Sequence, residues 1–591
     1  MTLFCYKGED ETEMMKEWIY PEEDAYGEYK DADQIIADIL RRRGIESGEQ
    51  MVEFLSDAPK LTHDPFLMKN MKPAVIRIVE ALRKGEKICI YGDYDADGVT
   101  ATSLMLTVFG RLTRNLIYYI PSRFDEGYGL NKEAIRLIHK QGVDLIITVD
   151  CGSVSCEEVG LARELGVDVI VTDHHSTNGR RTVDCLLLNP KQEDCGYPFK
   201  ELCGCGVAFK LVQALQRTLK RTDGTPAIDK AMLNSLLDLV AIGTVGDIVA
   251  LQDENRTLVK YGMRIINRNQ RPGLKRLMEG VKLTVGQIAA EQIAFVIVPH
   301  LNAAGRMMSA KTGVELLTAR EVTPEEGQKV RELVDSLIEN NRQRKKVQEE
   351  TYLRCMELLK QRGQTAAEED LFHVIEARDA HEGITGIVAG KIKDATGRPT
   401  IIVTPSGDGF LKGTGRSIPG INLFELLNGC GQLFERFGGH AGACGFLMAE
   451  NNLGALRESL NRQVGAMLER DPKLLIPKIR IDAVVTGEQM TLELVEKMQM
   501  MDPFGQKNPK PILAVNDVCI SDIAYMGDRK QHVRFRAQTD EGASFECVLF
   551  QKAQDMGDFL FEDSFVSLVG CGEINSWNGT DRLQFQVADI Q

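Results

Sequence analysis

The chain has 591 residues, with 86 Asp or Glu against 71 Lys or Arg, which gives a formal net charge of −15. Hydrophobic residues make up 43% of the chain and charged residues 27%, a composition that excludes a disordered or collagen-like protein. At about 150 residues per domain, the length predicts three to four domains. The acidic balance argues against a protein that coats nucleic acid over its whole surface, but it permits a local basic groove.

The amino terminus and the apolar runs predict neither export nor membrane insertion. The first twenty residues hold acids where a signal peptide requires a basic segment, and they lack its apolar core. The longest apolar runs, such as residues 145–149 and 399–403, are far shorter than the ~20 residues of a membrane helix. We therefore expect a cytoplasmic protein with no membrane partner. Its 14 cysteines include no CxxC pair, which favours reduced thiols.

The first half of the chain predicts an α/β domain. Residues 1–30 are acidic and irregular, which predicts little packed structure, and two short amphipathic helices then lead into the main domain. From residue 84 to residue 173, short β-branched apolar runs alternate with helical segments. Such βαβ alternation is typical of a parallel sheet with helices on both faces. We expect residues 204–250 to be helical.

The second half begins with a long helix. The sequence TPEE at residues 323–326 is a capping box with a Pro at the first helical position. Apolar residues with helical spacing continue to about Arg362, which predicts one helix of about 58 Å that acts as a spacer between two domains. A second α/β unit follows it. After Lys473, short alternating strands at even spacing predict a small β-barrel.

Two clusters of basic residues stand out from the acidic background. Residues 256–276 contain seven Lys or Arg and no acid, and the predicted long helix carries Arg342, Arg344, Lys345 and Lys346. Each cluster taken alone is more often a solvated face than a nucleic-acid site. We interpret both as solvated faces unless another feature indicates a polyanion.

Carboxylates directly follow three of the predicted strands. Asp93, Asp95 and Asp97 alternate in GDYDADG after the first, Asp150 follows a second, and the triplet Asp173-His174-His175 follows a third. The first motif alone fits a solvated acidic turn and a cation site equally well, since like charges repel unless a cation offsets them. Because the carboxyl ends of parallel strands share one edge of a sheet, the three motifs together favour a ligand site there.

The residue types at this edge predict the kind of ion. Asp247 adds a further acid directly after an apolar run, where a buried helix would avoid a charge. Carboxylates with one or two imidazoles, and no Cys, favour Mn²⁺ or Mg²⁺. Five or six ligands are too many for one ion with open positions, so we predict two divalent cations. A pair about 3.5–4 Å apart can generate hydroxide at neutral pH and stabilise both oxygens of an in-line phosphoryl displacement.

The triplet at residues 173–175, with GDYDADG before it, resembles the DHH phosphoesterase superfamily. Within that superfamily, ten motifs in order resemble the RecJ family of bacterial single-stranded-DNA-specific 5′-to-3′ exonucleases, over roughly residues 50–591. The motifs are GDYDADG, IPSRFDEGYGL, TVDCG, VTDHH, GTVGDIV, HLNAAGRM, HEGITGIVAGKI, GTGRS, FGGHAGACG and DPFGQKNPKP.

The resemblance implies an α/β multidomain fold with a parallel-sheet DHH domain and a C-terminal OB-like β-barrel. The expected parts are an acidic extension with short helices (1–50), a catalytic DHH domain (51–322), a connecting helix (323–362), an α/β DHHA1 domain (363–472) and an OB-fold nucleic-acid-binding domain (473–591).

For the metal site, the resemblance implies a set of acids and one imidazole. The implied ligands are Asp95, Asp97, Asp150, His174 and Asp247, with Asp150 as the bridge and Asp93 in support of the second ion. Some relatives have His where this chain has Tyr91, so that ligand is absent from the second site.

For catalysis, the resemblance implies His175, Asp173 and Asp150. His175 would face the scissile phosphate, where it steers the oxyanion or relays a proton. The alternative for His175 is a hydrogen-bond partner that orients a metal ligand.

For phosphate binding, the resemblance implies residues in the Gly-rich and Asn-bearing motifs. Arg123 and Arg416 would hold a terminal 5′-phosphate, and Arg306 and His440 would grip the backbone nearer the cations; Asn302 and Ser417 belong to the same motifs. Salt bridges within the fold are the alternative for each arginine. Phe504, Phe535 and Trp577 are candidates for base stacking, with burial in the barrel core as the alternative.

The function implied is a single-stranded-DNA-specific 5′-to-3′ exonuclease that releases 5′-mononucleotides by two-metal hydrolysis, in DNA repair and recombination. Its implied partners are single-stranded DNA with a 5′ end, single-stranded-DNA-binding protein and a helicase. The first alternative is a DHH-family phosphodiesterase for short oligoribonucleotides or cyclic dinucleotides, although such relatives usually lack the long helix and barrel. The second is a non-catalytic replication scaffold, against which the complete set of acids argues.

Overall fold

The computed structural model describes residues 16–21, 29–123, 126–127, 129–177, 179–268, 270–363, 370–407, 409–553, 556–577 and 580–591. Across these residues, two α/β domains joined by one long helix precede a β-barrel. None of the helices described combines the length and the apolarity needed to traverse a bilayer.

The amino-terminal segment packs on the barrel at the other end of the chain. It contains strand β1 (Glu17–Ile19) and helices α1 (Ala32–Arg42) and α2 (Gly48–Leu55). Strand β1 pairs in parallel with Lys478–Arg480, and the Trp18 indole donates a hydrogen bond to Asp589 Oδ2 at 2.8 Å. The apolar face of α1 joins the core of the barrel. The expectation of little packed structure before residue 30 is therefore wrong for residues 16–21, and the two helices pack on the barrel.

The DHH domain contains the predicted parallel sheet. Its elements are α3 (Met71–Lys84), β2 (Ile88–Tyr91), α4 (Ala96–Leu112), β3 (Leu116–Tyr119), α5 (Lys132–Lys140), β4 (Leu145–Val149), α6 (Cys156–Glu164), β5 (Asp168–Thr172) and β6 (Leu186–Leu188). The strand order is β3-β2-β4-β5-β6, and every pairing is parallel. Apolar clusters on the two faces confirm that helices cover both sides.

Helices complete this domain. They are α7 (Gly204–Thr218), α8 (Lys230–Ser235), α9 (Leu237–Gly246), α10 (Asp253–Asn267), α11 (Pro272–Gly280), α12 (Ala290–Gln292), a π-helical turn (Ile293–Ile297), α13 (Val298–Met307) and α14 (Lys311–Thr318). Helices α7 and α9 pack on α4 and are almost entirely buried, which explains their nearly continuous apolar sequence.

The connecting helix is α15 (Pro324–Gly363), and it packs against α11, α13 and α14 near its start and against the next domain near its end. That domain contains β7 (His373–Glu376), α16 (Glu382–Thr396), β8 (Thr400–Pro405), β9 (Phe410–Arg416), α17 (Leu423–Asn428), β10 (Phe434–His440), β11 (Ala443–Ala449) and α18 (Leu453–Leu468). Its sheet has the order β10-β11-β9-β8-β7. The long helix and the second α/β unit confirm the prediction.

The C-terminal region is a barrel. It contains β12 (Lys478–Arg480), β13 (Ala483–Val484), α19 (Leu492–Gln499), β14 (Leu513–Met526), β15 (His532–Gln538), β16 (Ser544–Leu549), β17 (Ser564–Trp577) and β18 (Thr580–Ile590). The order β14-β15-β16-β18-β17 closes on itself because β14 also pairs with β17. This five-stranded closed sheet is consistent with an OB fold. Helix α19 is an addition that the alternating strand pattern did not predict.

Candidate metal centre and phosphate-binding cleft

The predicted acids and imidazoles converge at the carboxyl edge of the DHH sheet. Asp93 follows β2, Asp150 follows β4, and the triplet at 173–175 follows β5. His174 Nε2 lies 3.1 Å from Asp150 Oδ1, 3.4 Å from Asp247 Oδ2 and 3.8 Å from Asp97 Oδ2. The structure thus brings the strand-end residues and Asp247 into one cluster, as the sequence predicts.

Backbone geometry sets the position of Asp150. Its φ is 63°, in the left-handed region, and its amide donates to the Thr172 carbonyl at 3.0 Å. The start of α7 passes so close that a Cβ on Gly204 would lie 2.5 Å from the Asp150 Cβ. Only glycine at position 204 leaves room for the carboxylate, which is why GCG opens this helix.

Asp95 and Asp97 begin helix α4. Asp95 Oδ1 is the helix cap and accepts from the amides of Asp97 and Gly98 at 3.0 Å each. The Asp97 carboxylate accepts from the amides of Gly204 and Cys205, at 2.6 and 2.9 Å. These amides at the start of α7 hold Asp97 in a fixed orientation.

Asp173 and His175 form a separate hydrogen-bonded pair beside the cluster. His175 Nδ1 lies 2.7 Å from Asp173 Oδ1, and the Ser153 amide donates to Asp173 Oδ2 at 2.9 Å. Burial opposes ionisation of Asp173, but the hydrogen bond and charge of His175 outweigh it and hold the Asp173 pKa well below its usual range. Burial likewise acts to lower the His175 pKa, yet Asp173 raises it to about 9. The pair is therefore an ion pair at neutral pH.

The other groups show the opposite electrostatics. Burial, and then repulsion by Asp97 and Asp95, raises the pKa of Asp247 to about 8. Burial and repulsion by Asp95 raise the pKa of Asp97 to about 6, and the same two causes, burial and neighbouring carboxylates, raise the pKa values of Asp93 and Asp150. Burial lowers the pKa of His174 to about 3, which leaves a neutral imidazole. A cation would reverse the carboxylate repulsion.

The donor atoms fit divalent cations. Three overlapping groups place ligand atoms within 4.8 Å of one another: Asp93, Asp95 and Asp150; Asp97, His174 and Asp247; and Asp150, His174 and His175. Asp93 Oδ1 and His174 Nε2 are buried and have no hydrogen-bond partner within the described ranges. Buried lone pairs without donors are suitable metal ligands, and this carboxylate-rich set suits Mn²⁺ or Mg²⁺.

Tyr91 is fully buried at the end of β2. Its hydroxyl donates to the Gly129 carbonyl at 3.0 Å, and its ring stacks on that of Tyr119 with a centroid distance of 5.3 Å. Tyr91 therefore has a packing role at the end of this strand.

Arginines face the cluster from both α/β domains. The guanidinium of Arg306, on α13, donates to the Gly383 carbonyl at 2.8 Å, and that of Arg416, on β9, donates to the Gly415 carbonyl at 2.8 Å. Arg123 lies over the ring of Tyr94, 5.1 Å from its centroid. Burial, then the positive charges of Arg123, Arg344 and Arg416, lowers the pKa of Arg306 to about 10. The charges of Arg123, Arg344, Arg416 and Asp95 therefore all act on Arg306, and we call the region between these arginines and the acidic cluster the cleft.

Arg344 is the member of this group that the sequence reasoning missed. It belongs to the basic cluster on α15, whose sequence favours a solvated face. Its guanidinium donates to Asn341 Oδ1 at 2.8 Å, and Asn341 Nδ2 lies 3.0 Å from His300 Nε2. The available signal was the basic cluster itself, but its significance depends on which side of α15 faces the cleft.

The remaining predicted residues take various positions. Asn302 Oδ1 accepts from the Ala96 amide at 2.7 Å and so supports the start of α4. The Ser417 hydroxyl donates to the Ile421 carbonyl at 2.8 Å, and His440 is exposed at the end of β10. Phe535 is buried in the barrel core and Phe504 packs against it, whereas the side chain of Trp577 lies outside the described residues.

Three family models match the chain in the predicted order. The DHH family N-terminal domain matches residues 87–244, the DHHA1 domain matches residues 370–466, and the RecJ OB domain matches residues 481–589. These matches agree with the order of the three folded parts, whereas the domain boundaries given above stay predictions.

Relatives named single-stranded-DNA-specific exonuclease RecJ match over most of the chain. The relative from Bacillus subtilis is 38% identical over 94% of this chain and 67% of its own length, and the relative from Escherichia coli is 35% identical over 80% and 82%. The solved structure of RecJ from Thermus thermophilus with Mn²⁺ matches with a TM-score of 0.78 and 28% identity, over 97% of this chain and 79% of that one. A further solved structure, of RecJ bound to manganese, is 34% identical with a TM-score of 0.56, over 69% of this chain and 98% of that one.

Proposed function

This chain belongs to the RecJ family of single-stranded-DNA-specific exonucleases, and we propose that it degrades single-stranded DNA from the 5′ end with two divalent cations, Mn²⁺ or Mg²⁺. Water attacks the phosphorus of the terminal phosphodiester and the 3′-oxygen leaves, so the products are 5′-mononucleotides. The observation that carries the proposal is a cluster of buried carboxylates beside Arg306, on which the charges of Asp95 and of three further arginines act. Carboxylates hold cations and guanidinium groups hold phosphates.

We assign the ligands as two sets that share one carboxylate. Asp97, His174 and Asp247 belong to one set, Asp93 and Asp95 to the other, and Asp150 to both. When bound, a pair of divalent cations lowers the pKa of a water and offsets charge on the attacking and leaving oxygens. The chain's contribution is orientation, since the amides of Gly204 and Cys205 fix Asp97 and the positive φ fixes Asp150.

We assign contact with the scissile phosphate to His175. The His175 side chain is 44% exposed, whereas that of His174 is 5% exposed, so only the former is open to a substrate. Asp173 orients the ring through Nδ1 and keeps it protonated, and a protonated ring can donate from Nε2 to a phosphate oxygen. Asp173 is a positioning residue in this assignment.

Selection of the 5′ end is assigned to the arginine side of the cleft. Arg123 and Arg416 hold the terminal phosphate, and Arg306 with His440 contacts the backbone closer to the cations. Asn302 and Ser417 support the same two walls through the backbone contacts described above. A phosphate site at a fixed distance from the cations gives a step of one nucleotide.

The barrel and the partners complete the proposal. We propose that the OB barrel binds the strand beyond the cleft, as OB folds bind single strands through charge and stacking. Single-stranded-DNA-binding protein and a helicase are the proposed protein partners, because both generate or occupy single strands with free ends. DNA as the substrate also makes the cytoplasm the proposed location, with repair and recombination as the processes.

The test uses one single-stranded oligonucleotide labelled at either end, with Mn²⁺, beside a duplex control and the variant Asp150→Ala. We expect immediate release of labelled mononucleotide from the 5′ label, late release from the 3′ label, and loss of both in the variant. Cleavage of dinucleotides with intact long DNA would instead support a short-substrate phosphodiesterase. Absence of any metal-dependent hydrolysis would overturn the proposal in favour of a scaffold.

A further inference from the structure

Part of the basic stretch 256–276 packs against other segments of the chain and does not face solvent. Three of its cations, Arg256, Lys260 and Arg264, lie four residues apart on one side of α10. Lys260 Nζ donates to the Ser56 carbonyl at 2.8 Å and to the Met500 carbonyl at 3.4 Å, and Arg264 donates to the Asp57 carbonyl. This side of the helix therefore contacts two remote backbone segments, one after α2 and one after α19.

Arg256 makes the largest set of these contacts. Its Nε donates to the Phe54 carbonyl at 2.9 Å, its Nη1 to the Met501 carbonyl at 2.8 Å, and its Nη2 to the Met500 and Asp502 carbonyls at 3.2 and 2.9 Å. The guanidinium also lies over the Phe54 ring, 3.7 Å from the centroid. One planar group thus ties the DHH domain to the amino-terminal segment and to the barrel region.

The hydrogen-bond acceptors of Arg256 are all neutral carbonyls, although the side chain is almost fully buried. No ion pair joins its guanidinium to a carboxylate in the described part of the chain, and burial lowers its pKa to about 10. The charge is retained at neutral pH, stabilised by the carbonyl dipoles, by the Phe54 ring and by the charge of Asp502, which requires these groups to stay in place. Such an arrangement fixes the relative position of the three segments.

The turn that Arg256 contacts is itself internally fixed. It comprises residues 500–508 and includes most of the DPFGQKNPKP motif, to which the proposed function gives no role. Asn508 is buried, and its Nδ2 donates to the carbonyls of Met501 and Pro503 at 2.9 and 2.8 Å. Its Oδ1 accepts from Arg43 Nη1 at 2.7 Å, which adds the residue that follows helix α1 to the same junction.

The same turn contacts the segment that follows Asp247. The Leu251 amide donates to the Gln506 carbonyl at 2.9 Å. A Cβ on Gly505 would lie 2.8 Å from Leu251 Cδ1, so the turn and this segment are in close contact. The barrel region is therefore attached to the DHH domain through the short stretch between a candidate metal ligand and Arg256.

We infer that Arg256 is a positioning residue that holds the barrel at a fixed distance from the metal centre, so that one DNA strand occupies both at once. The inference rests on the proposed function, in which the barrel binds the strand beyond the cleft. Two sites on a rigid body bind a long strand more tightly than two loosely connected sites, because the effective concentration of the second site is higher. A strand too short to reach the barrel gains nothing from this attachment.

The test compares 5′-phosphorylated strands of about 40 and about five nucleotides, since OB folds bind roughly 4–16 nucleotides. For Arg256→Ala we expect KM on the long strand to rise about tenfold, with kcat on it and kcat/KM on the short strand within about twofold of wild type. Lys260→Ala, which removes fewer contacts, should shift the long-strand KM in the same direction by less. Arg268→Ala, an exposed cation at the end of α10, is the matched control and should change neither.

Thermal unfolding of each variant accompanies the kinetics, and Lys260→Ala carries the test if Arg256→Ala does not fold. An equal loss of kcat/KM on both strands in Arg256→Ala, or no change in kcat/KM on either strand, would overturn the inference. Cleavage of DNA by wild type would still support the proposed function in that case. If wild type cleaves neither strand, the proposed function fails and the inference fails with it.

Discussion

The two sides of the cleft differ in how they hold charge. On the DHH side, carboxylates are buried, fixed by backbone amides, and so close together that their pKa values rise. On the facing side, Arg306 and Arg416 each donate to one backbone carbonyl among the residues that the structure describes, and a guanidinium has five N–H donors. A rigid, mutually repelling set suits small ions, while partly satisfied guanidinium groups suit a strand that must move after each step. In the proposed function, the carboxylate side therefore serves cation binding and catalysis, and the arginine side serves binding of the DNA strand.

The strongest way to test this division is to remove the shared carboxylate. Asp150→Asn keeps the size of the side chain but deletes the charge that both proposed cation sets use. We expect kcat to fall by about a thousandfold or more, since the cations stabilise charge at both reacting oxygens. Strand binding, measured by fluorescence anisotropy without metal, should stay within about threefold of wild type. A parallel loss of strand binding would show that Asp150 also contributes to binding of the strand, which contradicts the division between the two sides.

His175 tests whether chemistry and metal binding can be separated on the DHH side. His175→Gln should lower kcat by about a hundredfold, because it removes the donor proposed for the scissile phosphate. Mn²⁺ affinity, measured by calorimetry, should remain close to wild type. His174→Gln is the matched comparison and should lower Mn²⁺ affinity itself. Equal loss of Mn²⁺ affinity in the two variants would make His175 a metal ligand.

Substitution of an arginine in the cleft should change the preference of the enzyme for the chemical group at the 5′ end of the strand. Arg416→Lys keeps the charge but removes the planar fork that fits a terminal phosphate. We expect the preference for a 5′-phosphate over a 5′-hydroxyl, measured as a ratio of kcat/KM values, to fall about tenfold. Arg436→Lys, an exposed arginine in the same sheet, should leave that preference unchanged. An unaltered preference for the 5′-phosphate in Arg416→Lys would show that Arg416 does not bind the terminal phosphate.

The smallest effect is a pH-dependent gain in stability on metal binding. In the metal-free protein the pKa values of Asp97 and Asp247 are raised to about 6 and about 8, so stability falls as pH rises through these values and the buried acids ionise. Cations bind the ionised forms. At one fixed Mn²⁺ concentration, the rise in Tm of chelator-treated protein should therefore be larger at pH 8 than at pH 6, because Kd is lower at pH 8. A concentration of a hundred times the Kd at pH 8 gives about 2.7 kcal/mol of stabilisation at that pH. Equal increments at both pH values would contradict the described electrostatics.

The metal side was predictable from sequence because its residues follow strands directly. Parallel strands end at one edge, so Asp93, Asp150 and His174 meet whatever the details of the loops. The backbone devices that orient them, such as the close approach of Gly204 to Asp150, depend on packing between elements remote in sequence. They become visible only in the structure.

The basic clusters were not predictable for the same reason. Arg344 and Arg256 both belong to runs that look like solvated helix faces, yet one lies beside the cleft and the other ties domains together. The same limit applies to Trp18, whose strand pairs with Lys478–Arg480 near the other end of the chain. Local periodicity predicts helices and strands but not which remote segment covers them.

The most direct measurement is calorimetric titration of Mn²⁺ into wild type, Asp150→Ala and Arg416→Ala. We expect two bound cations for wild type and for Arg416→Ala, and fewer for Asp150→Ala, because the proposed ligands all belong to the DHH side. Fewer bound cations in Arg416→Ala than in wild type, or no cation bound by wild type, would contradict the assignment of cation binding to the carboxylate side alone.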